Sequence, residues 1–299
     1  MITKPEKVVV FGGTGFLGTQ VCDRLGNTGY NVVVASRHRG GTDNWIEANV
    51  TEPVSVGRAV AGAEAVVNCV SLYREKSQLT FTDIHVRGAR NVAQAAHEVG
   101  IRRLVHISGI GANHNSQSAY VSARGQGELA VRDAFPGAVI MRPSAMTGPD
   151  NDLLSTIANI PSWLPAIPLF GDGSVRLQPV HSGDVAAAIC NVLEKGSMDG
   201  AVYELGGPDV ISYADLLRLV MNLRGDRRPL MPFPMAGWSL LARTAGAAGL
   251  APITEGMVAL MRHDNVADPN LPGLADLGVP QPVSAEETAR HRFGQASNG

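Results

Sequence analysis

Hydrophobic residues in the first half of the chain follow two alternating patterns. Short runs rich in valine and isoleucine, typical of buried strands, are separated by longer segments in which apolar residues recur at helical spacing. This alternation is typical of a parallel sheet with helices on both faces, and it predicts a doubly wound α/β fold. The predicted strands are residues 7–11, 31–36, 45–47, 65–70, 103–107 and 138–141, and the predicted helices are residues 16–25, 54–60, 83–99 and 118–134.

The regular alternation stops after residue 142. Residues 143–173 are rich in proline and glycine, and we predict a loop insertion around one short helix. A strand at 175–180 and a helix at 184–193 follow, and we expect this pair to return to the main sheet. The main domain is therefore predicted to cover residues 1–199. A smaller C-terminal lobe is predicted over residues 200–299, with a strand at 202–205 and helices at 213–223, 235–247 and 254–261.

Composition and charge are those of an ordinary globular protein. The chain has 299 residues, of which 44% are hydrophobic and 17% charged, and its formal net charge is -2. These values argue against a disordered chain and against nucleic acid as a partner. The three cysteines, Cys22, Cys69 and Cys190, stand in apolar segments without paired spacing, so we predict reduced core thiols and no metal site.

Neither a leader peptide nor a membrane span is predicted. The most apolar stretch, residues 235–253, is interrupted by Arg243 and Pro252, so we expect a cytoplasmic protein. Segment 232–243 nevertheless combines Trp238 with a cation, as do helices that lie in a membrane interface, and it predicts contact with an apolar partner or with the inner face of a membrane. The alternative is that this segment covers the lobe's own core or the substrate cleft, which would bury Trp238.

A glycine-rich run follows the first predicted strand and opens the first predicted helix. It consists of Gly12, Gly13, Thr14, Gly15, Phe16, Leu17 and Gly18. Gly12 suits a tight turn, Gly15 lets the backbone approach a pyrophosphate, and Gly18 lets helix and strand pack closely. The N–H groups at the start of the helix can bind the phosphates. The run therefore predicts a dinucleotide cofactor on a Rossmann-type sheet.

The end of the second predicted strand bears on the choice of cofactor. NAD sites usually carry an acidic residue there, which binds the ribose 2′-hydroxyl. This sequence has Ser36 and Arg37 instead. A guanidinium pairs with phosphate through two hydrogen bonds, so NADP(H) is predicted in preference to NAD(H). The alternative is that Arg37 is an ordinary exposed arginine.

Two motifs carry a resemblance to a known family. The spacing Gly12-x-x-Gly15-x-x-Gly18, followed by Tyr120-x-x-x-Arg124-x-x-Gly127-Glu128, resembles the extended or atypical branch of the short-chain dehydrogenase/reductase superfamily, which is epimerase/dehydratase-like. Over about the whole chain, the sequence is similar to bacterial relatives of the NADPH-binding accessory subunit of mitochondrial complex I. The segments that narrow the resemblance begin at Ile84, Arg142, Gln178, Asp184, Tyr203 and Leu260.

The resemblance implies a catalytic serine or threonine after the fifth strand, a tyrosine acid/base, and a lysine four residues later. Tyr120 matches the tyrosine, but Arg124 replaces the lysine, and Gly109 stands where the hydroxyl is expected, beside Ser108. Arg124 can still bind the nicotinamide ribose and stabilise a phenolate, but it does not pass protons to solvent. Tyr120, Arg124 and Ser108 are the candidate catalytic residues. A Tyr120–Arg124 pair that only supports cofactor binding fits the sequence equally well.

Further cofactor contacts are predicted outside the glycine-rich run and the end of the second strand. These are Asn49, Val50, Val70, Ser71, Pro143 and Ser144, together with Tyr120 and Arg124. Ser144 corresponds to a position where the family places backbone near the nicotinamide. His85 and His106 are predicted to be core residues.

Three functions are compatible with the sequence. The first is an NADP(H)-dependent oxidoreductase acting on a hydrophobic, quinone-like small molecule, which Tyr120 and the apolar lobe favour. The second is a non-catalytic NADPH-binding accessory or assembly protein of a respiratory or quinone-biosynthesis complex, which the altered catalytic set favours. The third, a nucleotide-sugar epimerase or dehydratase, is disfavoured by the missing hydroxyl and lysine.

Overall fold

The computed structural model describes residues 7–75, 79–149, 152–195, 200–247 and 254–294. The chain divides into two compact units. The first takes its described residues from Met1–Pro143, Ser182–Leu205 and Asp268–Pro280, and the second from Ser144–His181, Gly206–Ala267 and Gln281–Gly299.

Strands and helices are numbered in chain order. The strands are β1 (Lys7–Phe11), β2 (Asn31–Ser36), β3 (Trp45–Glu47), β4 (Ala65–Asn68), β5 (Arg103–Ile107), β6 (Val139–Pro143), β7 (Met146–Thr147), β8 (Ile167–Phe170), β9 (Arg176–Leu177), β10 (Val180–His181), β11 (Val202–Leu205), β12 (Ile211–Ser212) and β13 (Leu230–Phe233). The helices are α1 (Phe16–Asn27), α2 (Pro53–Val60), a π-helix (Thr82–Gly88), α3 (Ala89–Glu98), α4 (Ala119–Ala134), α5 (Leu153–Ala158), α6 (Ser182–Lys195), α7 (Tyr213–Leu223), α8 (Met235–Ala247), α9 (Glu255–Leu260) and α10 (Ala285–Phe293).

The first unit contains a seven-stranded sheet in the order β11-β6-β5-β4-β1-β2-β3, with every neighbouring pair parallel. Val9, Phe11 and Val66 from its strands are fully buried together with helix residues such as Val92 and Ala96. The predicted doubly wound, Rossmann-type α/β fold is confirmed. Strands β1, β2, β3, β5 and β11 have the predicted bounds.

The predicted strand 65–70 is shorter in the structure and ends at Asn68. The Asn68 side chain explains this, because its Oδ1 accepts a hydrogen bond from the backbone N–H of Val70 at 3.2 Å and turns the chain. Its Nδ2 lies 3.3 Å from Nδ1 of His106 on β5.

Strand 202–205 is predicted in the C-terminal lobe, and that prediction is wrong. As β11 it forms an edge of the main sheet, with Val202 opposite Ile140 and Leu205 opposite Pro143. Residues 202–205 therefore belong to the first unit, whose helix α6 packs against α1.

The predicted strand 175–180 does not join the main sheet. It divides into β9 and β10, which lie in the second unit on either side of Gln178 and Pro179. β9 pairs antiparallel with β12, whereas β10 pairs parallel with β7. The Gln178 side chain holds the break, since its Nε2 donates to the carbonyl of Gly207 at 2.8 Å and its Oε1 accepts from the N–H of Ala267 at 3.0 Å.

Sequence patterns miss a parallel strand pair in the second unit. β8 and β13 pair over their full lengths, with Met231 opposite Pro168 and Pro232 opposite Leu169. Proline lowers the strand propensity of both segments, which hides them from a pattern search. Helix α10 is also missed.

The predicted helix 83–99 begins as the π-helix Thr82–Gly88 and continues as α3. The backbone of the π-helix lies in close contact with α4. A Cβ on Gly127 of α4 would lie only 2.0 Å from the carbonyl oxygen of His85. The contact brings the His85 side chain beside α4, where the catalytic candidates lie.

Helix α8 closes the core of the second unit. Trp238 is 6% exposed, and its indole N–H donates to the carbonyl of Leu169 at 2.8 Å. Its ring packs on Phe170 and Phe233, with centroid distances of 4.7 and 5.3 Å. The structure therefore agrees with the alternative prediction, in which segment 232–243 covers the core of its own lobe and buries Trp238. Among the described residues, no helix is both long and apolar enough to span a bilayer.

Candidate functional site

The glycine-rich turn between β1 and α1 packs against backbone on two sides. Gly12 has a φ of +74°, where a side chain is strained, and a Cβ there would lie 3.1 Å from the backbone nitrogen of Val70. A Cβ on Gly18 would lie 2.0 Å from the carbonyl oxygen of Gly12. Gly13 is less tightly confined, since its Cβ would lie 3.0 Å from Sγ of Cys22, a side-chain atom. These positions exclude side chains, so α1 starts directly on the turn.

The N-terminus of α1 fits a phosphate group. Its N-cap is Gly15, which has an extended backbone and no side chain to accept a hydrogen bond from the first turn. Thr14 and Gly15 are exposed, Phe16 is half-buried, and Leu17 faces the core. The first N–H groups of a helix lack intrahelical acceptors, so they can bind the pyrophosphate of a dinucleotide here.

The two residues at the end of β2, Ser36 and Arg37, differ in burial and in their hydrogen bonds. The Ser36 hydroxyl is buried, donates to the carbonyl of His38 at 2.8 Å, and accepts from the indole N–H of Trp45 at 2.9 Å. Its only proton is thus engaged within the protein. Arg37 is exposed, and among the described residues no carboxylate pairs with it. Of the two, Arg37 is the residue able to meet a ribose 2′-phosphate.

Asn49 and Val50 lie in the loop between β3 and α2. The Asn49 amide donates to Glu52 Oε1 at 2.8 Å, and its Oδ1 accepts from the N–H of Thr51 at 3.2 Å. The carbonyl of Val50 accepts from Nδ2 of Asn91 at 2.9 Å. These contacts hold the loop itself, and the Asn49 side chain has a structural role there.

Tyr120 and Arg124 lie one turn apart on α4 and form a pair. Nη1 of Arg124 donates to the phenol oxygen of Tyr120 at 2.5 Å. The exposed Ser71, after β4, also forms a side-chain hydrogen bond with Tyr120. Burial raises the pKa of the Tyr120 phenol, although the charge of Arg124 and these two hydrogen bonds oppose the shift. Tyr120 is therefore protonated at neutral pH.

Aromatic rings enclose Tyr120, which is only 2% exposed. Tyr73 stacks on it with a centroid distance of 6.0 Å, while Phe81 and His85 meet it edge-on at 5.3 and 5.6 Å. Tyr73 itself is 53% exposed, so it separates the Tyr120 ring from solvent.

Gly109, directly after β5, packs against the Arg124 guanidinium. A Cβ on Gly109 would lie 3.2 Å from both Cζ and Nη2 of Arg124. A side chain at residue 109 would therefore be in tight contact with the Arg124 guanidinium. The Oγ of the neighbouring Ser108 is buried and has no hydrogen-bond partner among the described residues.

Two buried histidines lie near Arg124. Burial, followed by the charge of Arg124, lowers the pKa of both His85 and His106 to about 3. Both imidazoles are therefore neutral at physiological pH. Nε2 of His85 lies 3.0 Å from the carbonyl oxygen of Leu72, in the loop after β4.

Pro143 and Ser144 are neighbours in sequence but belong to different units. The carbonyl of Pro143 accepts from the N–H of Ile110 at 3.2 Å in the first unit. The Ser144 hydroxyl donates to Oδ1 of Asn265 at 2.7 Å in the second unit. Its proton is engaged there, so its side chain has no second proton to donate.

Sequence patterns do not identify Tyr73, Phe81 and Gly109 as neighbours of the Tyr120–Arg124 pair. These residues are distant in the sequence and meet only in the folded sheet, so no spacing rule connects them. A partial signal exists at Gly109, where the expected hydroxyl is missing in a chain that also carries Arg124 in place of lysine.

The parallel sheet, the glycine-rich turn and the open start of α1 define a dinucleotide-binding protein of the Rossmann class. Residues 8–206 match the model of the NAD dependent epimerase/dehydratase family. The chain belongs to this family, and the resemblance drawn from its motifs is confirmed.

Individual relatives refine this placement. The chain is 31% identical to mitochondrial NADH dehydrogenase (ubiquinone) 1 alpha subcomplex subunit 9 of Rattus norvegicus, over 95% of this chain and 80% of that protein. It is 26% identical to the ceramide reductase of Caulobacter vibrioides, over 83% of each. The dTDP-4-dehydrorhamnose reductase of Bacillus anthracis, solved with NADP, has the same fold, with a TM-score of 0.69 and 17% identity over 98% of this chain and 99% of that one.

Proposed function

We propose that this protein binds NADP(H) without turning it over and acts as an accessory component of a larger assembly. The main support is Arg124, whose guanidinium donates to Tyr120 and packs against Gly109. The relationship to a complex I subunit, at 31% identity, favours an accessory role in a respiratory or quinone-biosynthesis complex.

The chemistry of this pair argues against efficient turnover. Carbonyl reduction needs a donor to the developing oxyanion and an acid that can be reprotonated. Gly109 supplies no donor, and the Ser108 hydroxyl is buried away from hydrogen-bond partners among the described residues. Arg124 keeps its protons at any physiological pH, so it does not relay them as lysine does. Loss of one oxyanion donor alone typically costs roughly 3 kcal/mol of transition-state stabilisation.

Turnover can be measured directly with the full chain. NADPH is added, and its oxidation is followed with a short-chain ubiquinone analogue or a long-chain ketone as acceptor. We expect NADPH to raise the melting temperature of the protein. We also expect NADPH to be oxidised no faster than in a control reaction that contains no protein. NADPH consumption that disappears in Tyr120→Phe would contradict the proposal.

A second candidate is an NADP(H)-dependent reductase of a hydrophobic small molecule. The 26% identity to a ceramide reductase favours it, as does the exposed Ser71 hydroxyl bonded to Tyr120. In this case Tyr120 is the proton donor, and Tyr120→Phe should abolish turnover while cofactor affinity is nearly unchanged. Arg124→Ala should weaken both. A nucleotide-sugar epimerase or dehydratase remains disfavoured by Gly109 and Arg124.

The preference for NADP(H) rests on Arg37. The loop that follows Arg37 returns to the glycine-rich turn, where a Cβ on Gly40 would lie 2.3 Å from Cγ2 of Thr14. An exposed guanidinium on this loop suits a 2′-phosphate, and neither Ser36 nor Arg37 is an acid that would bind a 2′-hydroxyl.

Replacing Arg37 should remove most of the cofactor discrimination. We expect Arg37→Ala to weaken NADPH binding by about 1.5–3 kcal/mol, the value of a charged hydrogen bond, with little change for NADH. Arg39→Ala is the matched control, because Arg39 is on the same loop but pairs with Asp43 at 2.9 Å. Calorimetric titration gives both affinities. Equal affinities of the unmodified protein for NADPH and NADH would disprove the preference.

The partner is proposed to be apolar and to meet the second unit. With Trp238 buried, the apolar side chains available on this unit include Trp163, Leu240 and Leu241, which are 78%, 64% and 45% exposed. We expect the protein to float with liposomes, and Leu240→Glu with Leu241→Glu to prevent this. If the unmodified protein stays with the soluble fraction at every lipid composition, a direct membrane contact is ruled out and a protein partner remains.

A further inference from the structure

The guanidinium of Arg124 carries a positive charge, and no carboxylate among the described residues forms an ion pair with it; Glu128, one turn further along α4, attracts it from a longer distance. Arg124 is partly exposed, but its Nε is buried and has no hydrogen-bond partner among them. The acid nearest in sequence, Glu128, is committed elsewhere, since its two oxygens accept from Nε and Nη2 of Arg142 at 2.9 and 2.6 Å. The one hydrogen bond identified for Arg124 goes to the neutral Tyr120.

The other groups around Arg124 are neutral as well. His85 on the π-helix and His106 on β5 are unprotonated at physiological pH, and burial keeps the Tyr120 phenol protonated. Ser71, from the loop after β4, has an uncharged side chain. At contact distance the charge of Arg124 is therefore not offset, and Glu128, which attracts it from further away, is itself paired with Arg142. A second positive charge brought close to the Arg124 guanidinium is repelled.

The sheet order indicates which half of the cofactor lies here. A dinucleotide crosses the carboxyl edge of a doubly wound sheet with its pyrophosphate at the first strand and one nucleotide on each side. Arg37 follows β2, on one side of β1, and is assigned to the adenosine half. Gly109 follows β5 and Ser71 follows β4, on the other side of β1. Arg124 contacts Gly109, so it belongs to the nicotinamide half.

We propose that the charge of Arg124 makes this protein select NADPH over NADP⁺, so that its occupancy follows the redox state of the cofactor. The nicotinamide ring is neutral when reduced and carries a positive charge when oxidised, and the remainder of the two molecules is the same. The inference rests on the proposed function, because a protein that holds NADP(H) without turnover can report its redox state.

The expected size of the selection follows from the charges. Like charges at partly exposed protein sites change a binding constant by about tenfold. A tenfold preference for the reduced form raises the midpoint potential of the bound two-electron couple by about 30 mV relative to the free couple.

The experiment compares dissociation constants of the full chain for four ligands at neutral pH. These are NADPH, NADP⁺, the redox-inactive neutral analogue tetrahydro-NADP, and 2′,5′-ADP, which lacks the nicotinamide. We expect NADPH and tetrahydro-NADP to bind about tenfold more tightly than NADP⁺. If tetrahydro-NADP binds like NADP⁺, or if all three bind equally, ring charge is not selected and the inference is overturned.

Two variants assign the effect to Arg124. Arg124→Gln, which keeps hydrogen-bonding capacity without charge, should bring NADP⁺ close to NADPH in affinity, whereas Arg124→Lys should retain the preference. Binding of 2′,5′-ADP should be unchanged in both and reports that the variants are folded. An undiminished preference in a folded Arg124→Gln variant overturns the assignment. Should Arg124→Gln not fold, loss of the preference in Arg124→Lys overturns it instead.

These outcomes separate the two proposals. Failure of every ligand to bind would refute both the proposed function and the selection by Arg124. NADPH oxidation that depends on Tyr120 would refute only the proposed function, because the affinities for NADPH and NADP⁺ can still be compared. Equal affinities for NADPH and NADP⁺ in a protein that binds both would refute only the selection by Arg124.

Discussion

Gly18→Ala is expected to abolish measurable dinucleotide binding. The new Cβ would lie 2.0 Å from the carbonyl oxygen of Gly12, which is a backbone atom that cannot rotate away. The start of α1 must therefore move relative to the turn, and the N–H groups intended for the phosphates move with it. Losing two charged hydrogen bonds, at roughly 1.5–3 kcal/mol each, weakens binding by about 100-fold or more. Titration with NADPH and NADH measures the loss.

Gly26→Ala is the matched control on the same helix. A Cβ on Gly26 meets nothing within 4 Å, so this substitution should leave cofactor affinity unchanged. It should also stabilise the helix slightly, since alanine is the better helix former by roughly 1 kcal/mol. Normal binding by Gly18→Ala, at an unchanged melting temperature, would mean that the turn and α1 are not in direct backbone contact.

Arg142→Met is expected to lower the free energy of unfolding by about 3 kcal/mol or more. Arg142 binds Glu128 at 2.6 Å and Glu204 at 3.2 Å, and both carboxylate side chains are only 8% exposed. Removing the guanidinium leaves two like charges close together and largely out of water, which is far more costly than losing a surface ion pair. Urea unfolding followed by circular dichroism gives the difference.

Arg90→Met provides the comparison for a surface pair. Arg90 lies 3.9 Å from Asp133, and the two side chains are 58% and 75% exposed. Such a pair contributes about 0–1 kcal/mol, so the variant should unfold almost as the unmodified protein does. If Arg142→Met were equally mild, the Arg142 cluster would not be what ties α4 and β11 to β6.

The strands of the main sheet could be predicted from local pattern because each is a short apolar run bounded by turn residues. β1, β2, β3 and β5 have the predicted bounds for this reason. The same method fails for β8 and β13, whose prolines are tolerated because both are edge strands of a two-stranded sheet. It also cannot assign β11 to a sheet, since that depends on which edge strand is available when the chain returns.

The cofactor end of the site follows from the sequence more fully than the catalytic end. The glycine-rich turn is a local steric solution, so its residues and their spacing are sufficient to predict it. Around Tyr120 the decisive contacts are long-range. The packing of Gly109 on Arg124 joins the end of β5 to α4, and the enclosing Tyr73 and Phe81 come from another part of the chain.

The sequence by itself determined that this protein has a doubly wound sheet, a dinucleotide turn and an arginine four residues after Tyr120, where the resemblance implies lysine. Backbone sterics and apolar periodicity act over a few residues, so these features can be derived from short segments. Only the tertiary structure decided that the Arg124 guanidinium packs against Gly109, that the Ser36 proton is engaged by the carbonyl of His38, and that no described carboxylate forms an ion pair with Arg124. Hydrogen bonds and charge pairs depend on which distant side chains arrive within a few ångström, and folding alone sets those distances.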